Sequence, residues 1–299
     1  MWYALAATHV FMWLYFMSVV SSRPLSHVTT MSPRCSRVCN CTTAGEQQIS
    51  SVYYSIVCDA TPACLPVDVI ASTKSVHLTG TGIPLVDGGR RTCEWSSRML
   101  RLVELDLSWN NISDVRSWRQ AAVSVRNLSV AGNNLRRVGA STFAGLVQLR
   151  HLDVSGNHVR VLDVDCFRSL KRLRTLSLAN NSIAHLPRGV FDGLSSLVEL
   201  RLDGNRLTSL GEGVLEPLSQ LTVLSASSNR LRVVDARSFH GGPLTSLRQL
   251  DLSRNLLHEL IADVAPSLTA LRRLHSLTLL LSHFSRLLYP SIPSTWRSQ

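Results

Sequence analysis

The chain has 299 residues, 45% hydrophobic and 17% charged, a composition that excludes a disordered polymer and fits an ordered protein. A formal net charge of +11 and a pI near 10 admit polyanions as partners, although a basic solvated surface gives the same balance. Residues 1–22 contain no Asp, Glu, Lys or Arg, and the apolar run Val10–Val20 is followed by Ser21 and Ser22. This predicts a secretory signal peptide over 1–22; an uncleaved signal anchor is the rival, because the stretch is nearly long enough to span a bilayer and its n-region lacks Lys and Arg. Residues 23–34 are a polar lead-in. Residues 35–64 carry Cys35, Cys39, Cys41 and Cys58, spaced C-x3-C-x-C-x16-C. Thiolates so clustered suit zinc, whereas disulfides suit an exported chain, with three connectivities open to four cysteines. Cys64 and Cys93, the others on the amino-terminal side, are expected to pair with each other. The seventh cysteine, Cys166, reads as a small buried side chain.

From Leu102 the pattern L-x-x-L-x-L-x-x-N-x-L appears and recurs. Its asparagine falls at Asn110, Asn133, Asn157, Asn181, Asn205, Asn229 and Asn255, with steps of 23, 24, 24, 24, 24 and 26. Ten residues behind runs a second column, Phe143, Phe167, Phe191, Leu215 and Phe239. Period-two alternation in x-L-x-L-x marks a short strand, and each unit returns by a loop, so units stack as parallel strands about 4.8 Å apart. One unit cannot bury its apolar side alone; its neighbours complete the core. The asparagine amides are expected to satisfy backbone groups exposed where the chain turns inward. The predicted fold is therefore an α/β solenoid of 24-residue repeats, with a curved parallel β-sheet on the concave face and loops and short helical turns on the convex face.

Seven repeats fill 102–270. Residues 65–101 hold a degenerate first repeat, in which Val76–Ile83 fits the end of a unit with Thr81 in the asparagine slot, followed by an inserted loop. Residues 271–299 hold a degenerate last repeat, with Leu274, Leu277, Leu279, Ser282 and Phe284 in register, and an uncapped polar tail.

These units are identified as leucine-rich repeats. With the cysteine cluster before them, the chain resembles extracellular leucine-rich-repeat proteins with an amino-terminal cysteine cap: Toll-type receptor ectodomains, Slit-like guidance proteins and acid-labile-subunit-like secreted binders. The resemblance covers roughly residues 35–284. It implies disulfides Cys35–Cys41 and Cys39–Cys58, a secreted or extracellular-surface location, and non-catalytic recognition in immunity, adhesion or guidance. The carboxyl-terminal cysteine cap common in that family is missing, so the chain is read as truncated at its carboxyl end.

Catalytic constellations are not apparent. Gly80-Thr81-Gly82 lacks the third glycine of a dinucleotide loop, and His258-Glu259 has Ala262 where a zinc site needs its second histidine. An enzyme, a cofactor and a metal are not expected. The repeat register instead places a set of side chains on the concave sheet: Glu104, Asp106, His151, Asp153, Glu199, Arg201, Asp203, Gln249 and Asp251, with Trp109 just past its strand. This face is net negative on a net positive chain, which predicts a protein ligand or receptor steered by charge. Small polar residues that merely keep an exposed sheet soluble are the plainer explanation. The alternative partner is a polyanion such as heparan sulfate, held by Arg126, Arg150 and Arg174, which share one position in consecutive repeats; Arg136, Arg160 and Arg232 form a second row. No specific nucleic acid is expected, nor a membrane span beyond the signal anchor. Acceptor sequons place glycans at Asn40, Asn111, Asn127 and Asn180.

Overall fold

Alternation dictates the basic unit. In each repeat three residues form a strand, and the central leucine alone points inward, as in Glu104–Asp106, Thr175–Ser177 and Val223–Ser225. Leu105, Leu128, Leu152, Leu176, Leu200, Leu224, Leu250 and Leu277 lie in register across neighbouring parallel strands. The computed structural model describes residues 39–44, 53–58, 73–77, 79, 102–115, 124–234, 246–257, 259–260 and 276–278. The chain divides into two units, Met1–Thr30 and Met31–Gln299, and every described residue belongs to the second. The segment expected to be a signal peptide, 1–22, and the lead-in, 23–34, lie outside the described residues.

Among the described residues, an 11-stranded sheet follows chain order. It opens with an antiparallel pair, Cys39–Ala44 against Tyr53–Cys58, in which the backbone of Cys39 lies opposite Cys58. Tyr53–Cys58 then pairs parallel with Thr73–His77, and every later pairing in the sheet is parallel. Both degenerate repeats keep register: Val76 pairs with Leu105, and Leu250 with Leu277. The antiparallel pair takes up one edge of the first parallel strand, which would otherwise present unpaired backbone groups.

Behind the sheet the chain returns through single turns closed by i to i+3 hydrogen bonds, for example Cys166 N–H to Asp163 O, Leu170 N–H to Phe167 O and Leu173 N–H to Leu170 O. These turns pack Phe143, Phe167 and Phe191, all fully buried, against the strand leucines. The rings stack at centroid distances of 6.2 and 6.4 Å, within the range of favourable aromatic pairs. Cys166 is buried beside them and unpaired, and burial pushes its thiol pKa far above the ordinary value. Two short parallel pairs also form on the far side of the core, Arg137–Val138 with Val161–Leu162 and Val233–Val234 with Glu259–Leu260. After Leu162 the next repeat offers Pro187 at the position where Asp163 N–H bonds Val138 O, and proline has no N–H to continue that ladder.

The asparagine column ties the stack together. Asn181 Nδ2 donates to Leu178 O and Ala179 O of its own turn and to Val154 O of the repeat before, at 3.0–3.2 Å. Its Oδ1 accepts Val159 N–H of that same earlier repeat at 2.9 Å. Asn133, Asn157, Asn205, Asn229 and Asn255 repeat the arrangement, and all are buried. Asn181→Ala leaves the buried Val159 N–H without a partner and takes one of the two partners from each of Val154 O, Leu178 O and Ala179 O, which keep Asn157 Nδ2, Asn205 Nδ2 and Gly156 N–H. It should cost about 3 kcal/mol, read as a lower urea midpoint, whereas exposed Arg188→Ala should stay within about 0.5 kcal/mol.

Candidate functional site

Registered strands turn single outward residues into rows. The first row reads Glu104, Asn127, His151, Thr175, Glu199, Val223, Gln249. The second reads Asp106, Ser129, Asp153, Ser177, Arg201, Ser225, Asp251. A third row past the strands contains Asp203 but is less open than the alternation suggests: Ser108, Ala179 and Ser253 are buried. The inward turn begins there and draws them down.

The acids do not simply face solvent. Asp106, Asp153 and Asp251 each use Oδ1 to accept the N–H two residues on, from Ser108, Ser155 and Ser253, at 2.8–2.9 Å. Asp203 Oδ1 accepts the N–H of Ser227 at 3.0 Å and the hydroxyls of Ser225 and Ser227. Four carboxylates thus brace the strand exits. Glu199 accepts Arg201 Nε–H at 2.5 Å, so these two expected contact residues largely neutralise each other. The hydrogen-bonded aspartates keep their charge, while the ion pair to Arg201 offsets that of Glu199.

Asp106 also meets His77, with Nδ1 3.7 Å from Oδ2, and Thr79 Oγ1 donates to Oδ2 at 3.3 Å. The hydrogen bond to Asp106 raises the His77 pKa above 6.5, outweighing burial. Burial alone would raise the Asp106 carboxyl, but hydrogen bonds from His77 and Ser108 together hold it below 3.8. The register that pairs Val76 with Leu105 is what brings His77 beside Asp106.

Trp109 is 70% exposed and left-handed, with φ 57°. Residues preceding the column asparagines share this conformation: Gly132, Gly156, Asn180, Gly204, Ser228 and Arg254 all have positive φ. Glycine and asparagine adopt it at little cost, whereas tryptophan does so against a steric penalty. The Trp109 ring lies flat on Gly132, where a Cβ would come within 2.6 Å of Cε3.

At the strand entries, Arg150 N–H bonds Arg126 O and Arg174 N–H bonds Arg150 O, each at 2.7 Å. The three arginines therefore occupy adjacent rungs, and all three are exposed. The same rung series runs on through Val198 and Thr222 to Arg248. Arg248 escapes a search for consecutive matches because two non-basic repeats and a longer unit separate it; counting seven residues back from Asn255 finds it. Of the second row, Arg160 N–H bonds Arg136 O, and Arg232 N–H bonds Thr208 O. Partial burial, and then the charges of Arg150 and Arg174, lower the pKa of His151.

Asn111 and Asn180 are exposed, and Asn127 is half-buried between Glu104 and His151. Asn111 accepts a hydrogen bond from Asn134 in a shallow recess also lined by Ser113, Arg136 and His158. Asn40 and Cys41 lie in the first strand, Cys41 with its backbone opposite Ile56, while Cys35, Cys64 and Cys93 lie outside the described residues. Among the described residues no group of His, Cys, Asp and Glu is placed to hold a metal, and no helix is long and apolar enough to cross a membrane.

Two measurements test this geometry. A His with a raised folded pKa stabilises fully below its unfolded value and loses that contribution as pH rises through the folded one; for a lowered carboxylate the stability is present above the unfolded value and lost as pH falls through the folded one. The His77–Asp106 pair should thus stabilise most between 3.8 and 6.5. The NMR titration midpoint of His77 should lie above 6.5 and fall to that value or below in Asp106→Asn. Gly132→Ala should cost about 2 kcal/mol, of which about 1 kcal/mol, the backbone strain, should persist in a Trp109→Ala background.

Known proteins share this architecture. The family model described as leucine rich repeat matches residues 123–183, 148–207, 171–231 and 219–279, together more than half the chain, and a second leucine rich repeat model matches 102–115. No curated protein sequence matches significantly. Among solved structures, a TLR13–ssRNA13 complex aligns with TM-score 0.63 and 24% identity over 71% of this chain and 29% of that one. Internalin C2 from Listeria monocytogenes aligns with TM-score 0.56 and 24% identity over 71% and 83%. Toll in a Toll–Spatzle complex from Drosophila aligns with TM-score 0.56 and 20% identity over 72% and 32%. Identities this low speak for the fold, and the chain spans less than a third of the length of either Toll-type chain. One of these neighbours is a complex with ssRNA, a partner class not expected for this chain. With the repeat models covering most of its regular stack and the registered leucine and asparagine columns built as the motif requires, this chain belongs to the leucine-rich-repeat family.

Proposed function

We propose that the chain is a non-catalytic, extracellular recognition module that takes a protein ligand or receptor on its sheet face. The observation that carries this is the surface itself: registered rows of polar and charged side chains, open to solvent, on a core that holds each row fixed. Such a surface is pre-organised, so little side-chain or backbone entropy is lost on docking. Trp109 supplies an exposed aromatic anchor at one end, and His151, Glu199, Arg201 and Gln249 supply mixed polar contacts further along. The export reading rests on the apolar run at 1–22 and the cysteine cluster, and the backbone juxtaposition of Cys39 and Cys58 supports the disulfide between them. Structural likeness to Toll in its complex with Spatzle supports a protein partner.

The test is a binding screen of the full chain, displayed multivalently, against secreted proteins and receptor ectodomains. A bound partner should weaken by about 30-fold with Trp109→Ala plus Glu199→Lys, and should be indifferent to Arg136→Glu plus Arg160→Glu. Partners that ignore the sheet-face changes and depend on the second arginine row would overturn the assignment.

A further inference from the structure

We propose that the strand-entry edge of the sheet is a second binding site, for a linear sulfated polysaccharide, separate from the protein-recognition face. Three observations converge on it. First, Arg126, Arg150 and Arg174 stand on adjacent rungs joined by 2.7 Å backbone hydrogen bonds, so their Cα atoms follow the strand spacing of about 4.8 Å. All three are exposed, and their guanidinium groups make no ion pair among the described residues, in contrast to Arg137, which grips Asp163 with two hydrogen bonds. Second, the charge there is of one sign. Lys171 and Arg172 add to it one turn earlier, Arg172 bonding Gln148 of the preceding repeat, and Arg248 extends it at the far end. The segments 145–150, 169–174, 193–198 and 217–222, which lead into four successive strands, contain no Asp or Glu. The outward row beside this edge carries an acid at each end of the column, Glu104 on the rung before Arg126 and Glu199 on the rung after Arg174, and Glu199 is held by Arg201. Third, His151 stands on the row adjoining Arg150 and Arg174, its pKa lowered first by partial burial and then by these two charges, so the column borders the open sheet face.

A like-charge column gains nothing for folding, since repelling guanidinium groups on neighbouring rungs are mildly destabilising. It suits a ligand that carries closely spaced anionic groups along a line. Arginine forks match sulfate and phosphate oxygens alike, so the choice between a sulfated glycan and a single-stranded nucleic acid turns on bases. Nucleic-acid tracks combine a basic groove with aromatic rings on which bases stack. Here the exposed aromatic among the described residues is Trp109, past the exit of its strand and at the opposite end from the arginines. Among the described residues, the strand entries from Arg126 to Arg248 carry charge and no Phe, Tyr or Trp on which a base could stack, which fits a sugar backbone bearing sulfates.

The experiment is retention of the full chain on immobilised heparin, with affinity measured between 50 and 200 mM salt. Wild type should bind with a steep salt dependence. Arg126→Gln, Arg150→Gln and Arg174→Gln together should reduce the slope of log affinity against log salt by about 2 and the affinity by about tenfold. Arg136→Gln, Arg160→Gln and Arg232→Gln remove the same net charge elsewhere and should leave at least half of the affinity. Each variant is accepted only if its urea midpoint matches wild type; Arg150→Lys plus Arg174→Lys, which keeps the charge, replaces any that fails and should weaken binding by a smaller factor. Equal losses in the two triple variants would reduce the effect to net charge and overturn the site. Stronger competition by single-stranded RNA than by a heparin oligosaccharide of equal charge would overturn the sulfated-glycan assignment, and absent or salt-insensitive retention would overturn both.

Discussion

Each turn from sheet to return arm would leave carbonyls and an N–H facing an apolar interior, at a cost that compounds with every repeat. A buried asparagine answers this because its amide carries two donor hydrogens and an acceptor oxygen on one short stem. In Asn133 through Asn255 the nitrogen reaches two carbonyls of its own turn and one of the repeat before, and the oxygen takes an N–H of that earlier repeat. Closing one turn and joining it to the previous repeat are therefore the same event. The registration of strands, and with it the order of every outward side chain, depends on this column.

The rows that result have a gradient along the strand direction. At the entry, arginines occupy adjacent rungs, and the segments leading into four successive strands hold no acid. In the middle the face is mixed, with His151, Glu199 and Arg201 near one another. At the exit, Asp106, Asp153, Asp203 and Asp251 are drawn toward backbone N–H groups and serine hydroxyls. A carboxylate that stabilises a strand exit keeps its charge but has spent one oxygen on the scaffold. A change there perturbs fold and binding together, and the first row separates the two more cleanly. Trp109 lies at this exit in a conformation that disfavours it, resting on a residue with no side chain. Strain at an exposed aromatic is better accounted for by what it presents than by what it stabilises.

Much of this was legible in the residues. The motif spacing located the strands, the buried leucines, the phenylalanine spine and the buried Cys166, because period-two alternation and a 24-residue repeat translate directly into which atoms leave water. Even the degenerate ends obeyed it: Val76 and Leu277 take the positions that counting assigns them. The arginine column was visible for the same reason, since equal spacing in a solenoid is adjacency in space. Counting broke down at Arg248, behind two repeats with Val198 and Thr222 in that slot.

Sequence by itself determined the repeat, its register and the residue that each repeat offers on each rung, because those follow from local alternation and a fixed period. Only the tertiary structure decided how charges are shared between neighbouring repeats. That Glu199 turns to Arg201, that Asp203 braces Ser227, that His77 meets Asp106 and that Trp109 lies on Gly132 are matters of side-chain direction over a few ångströms. Hydrogen bonds and partial burial set those directions, and both depend on what the next rung presents rather than on the repeat in which the residue sits.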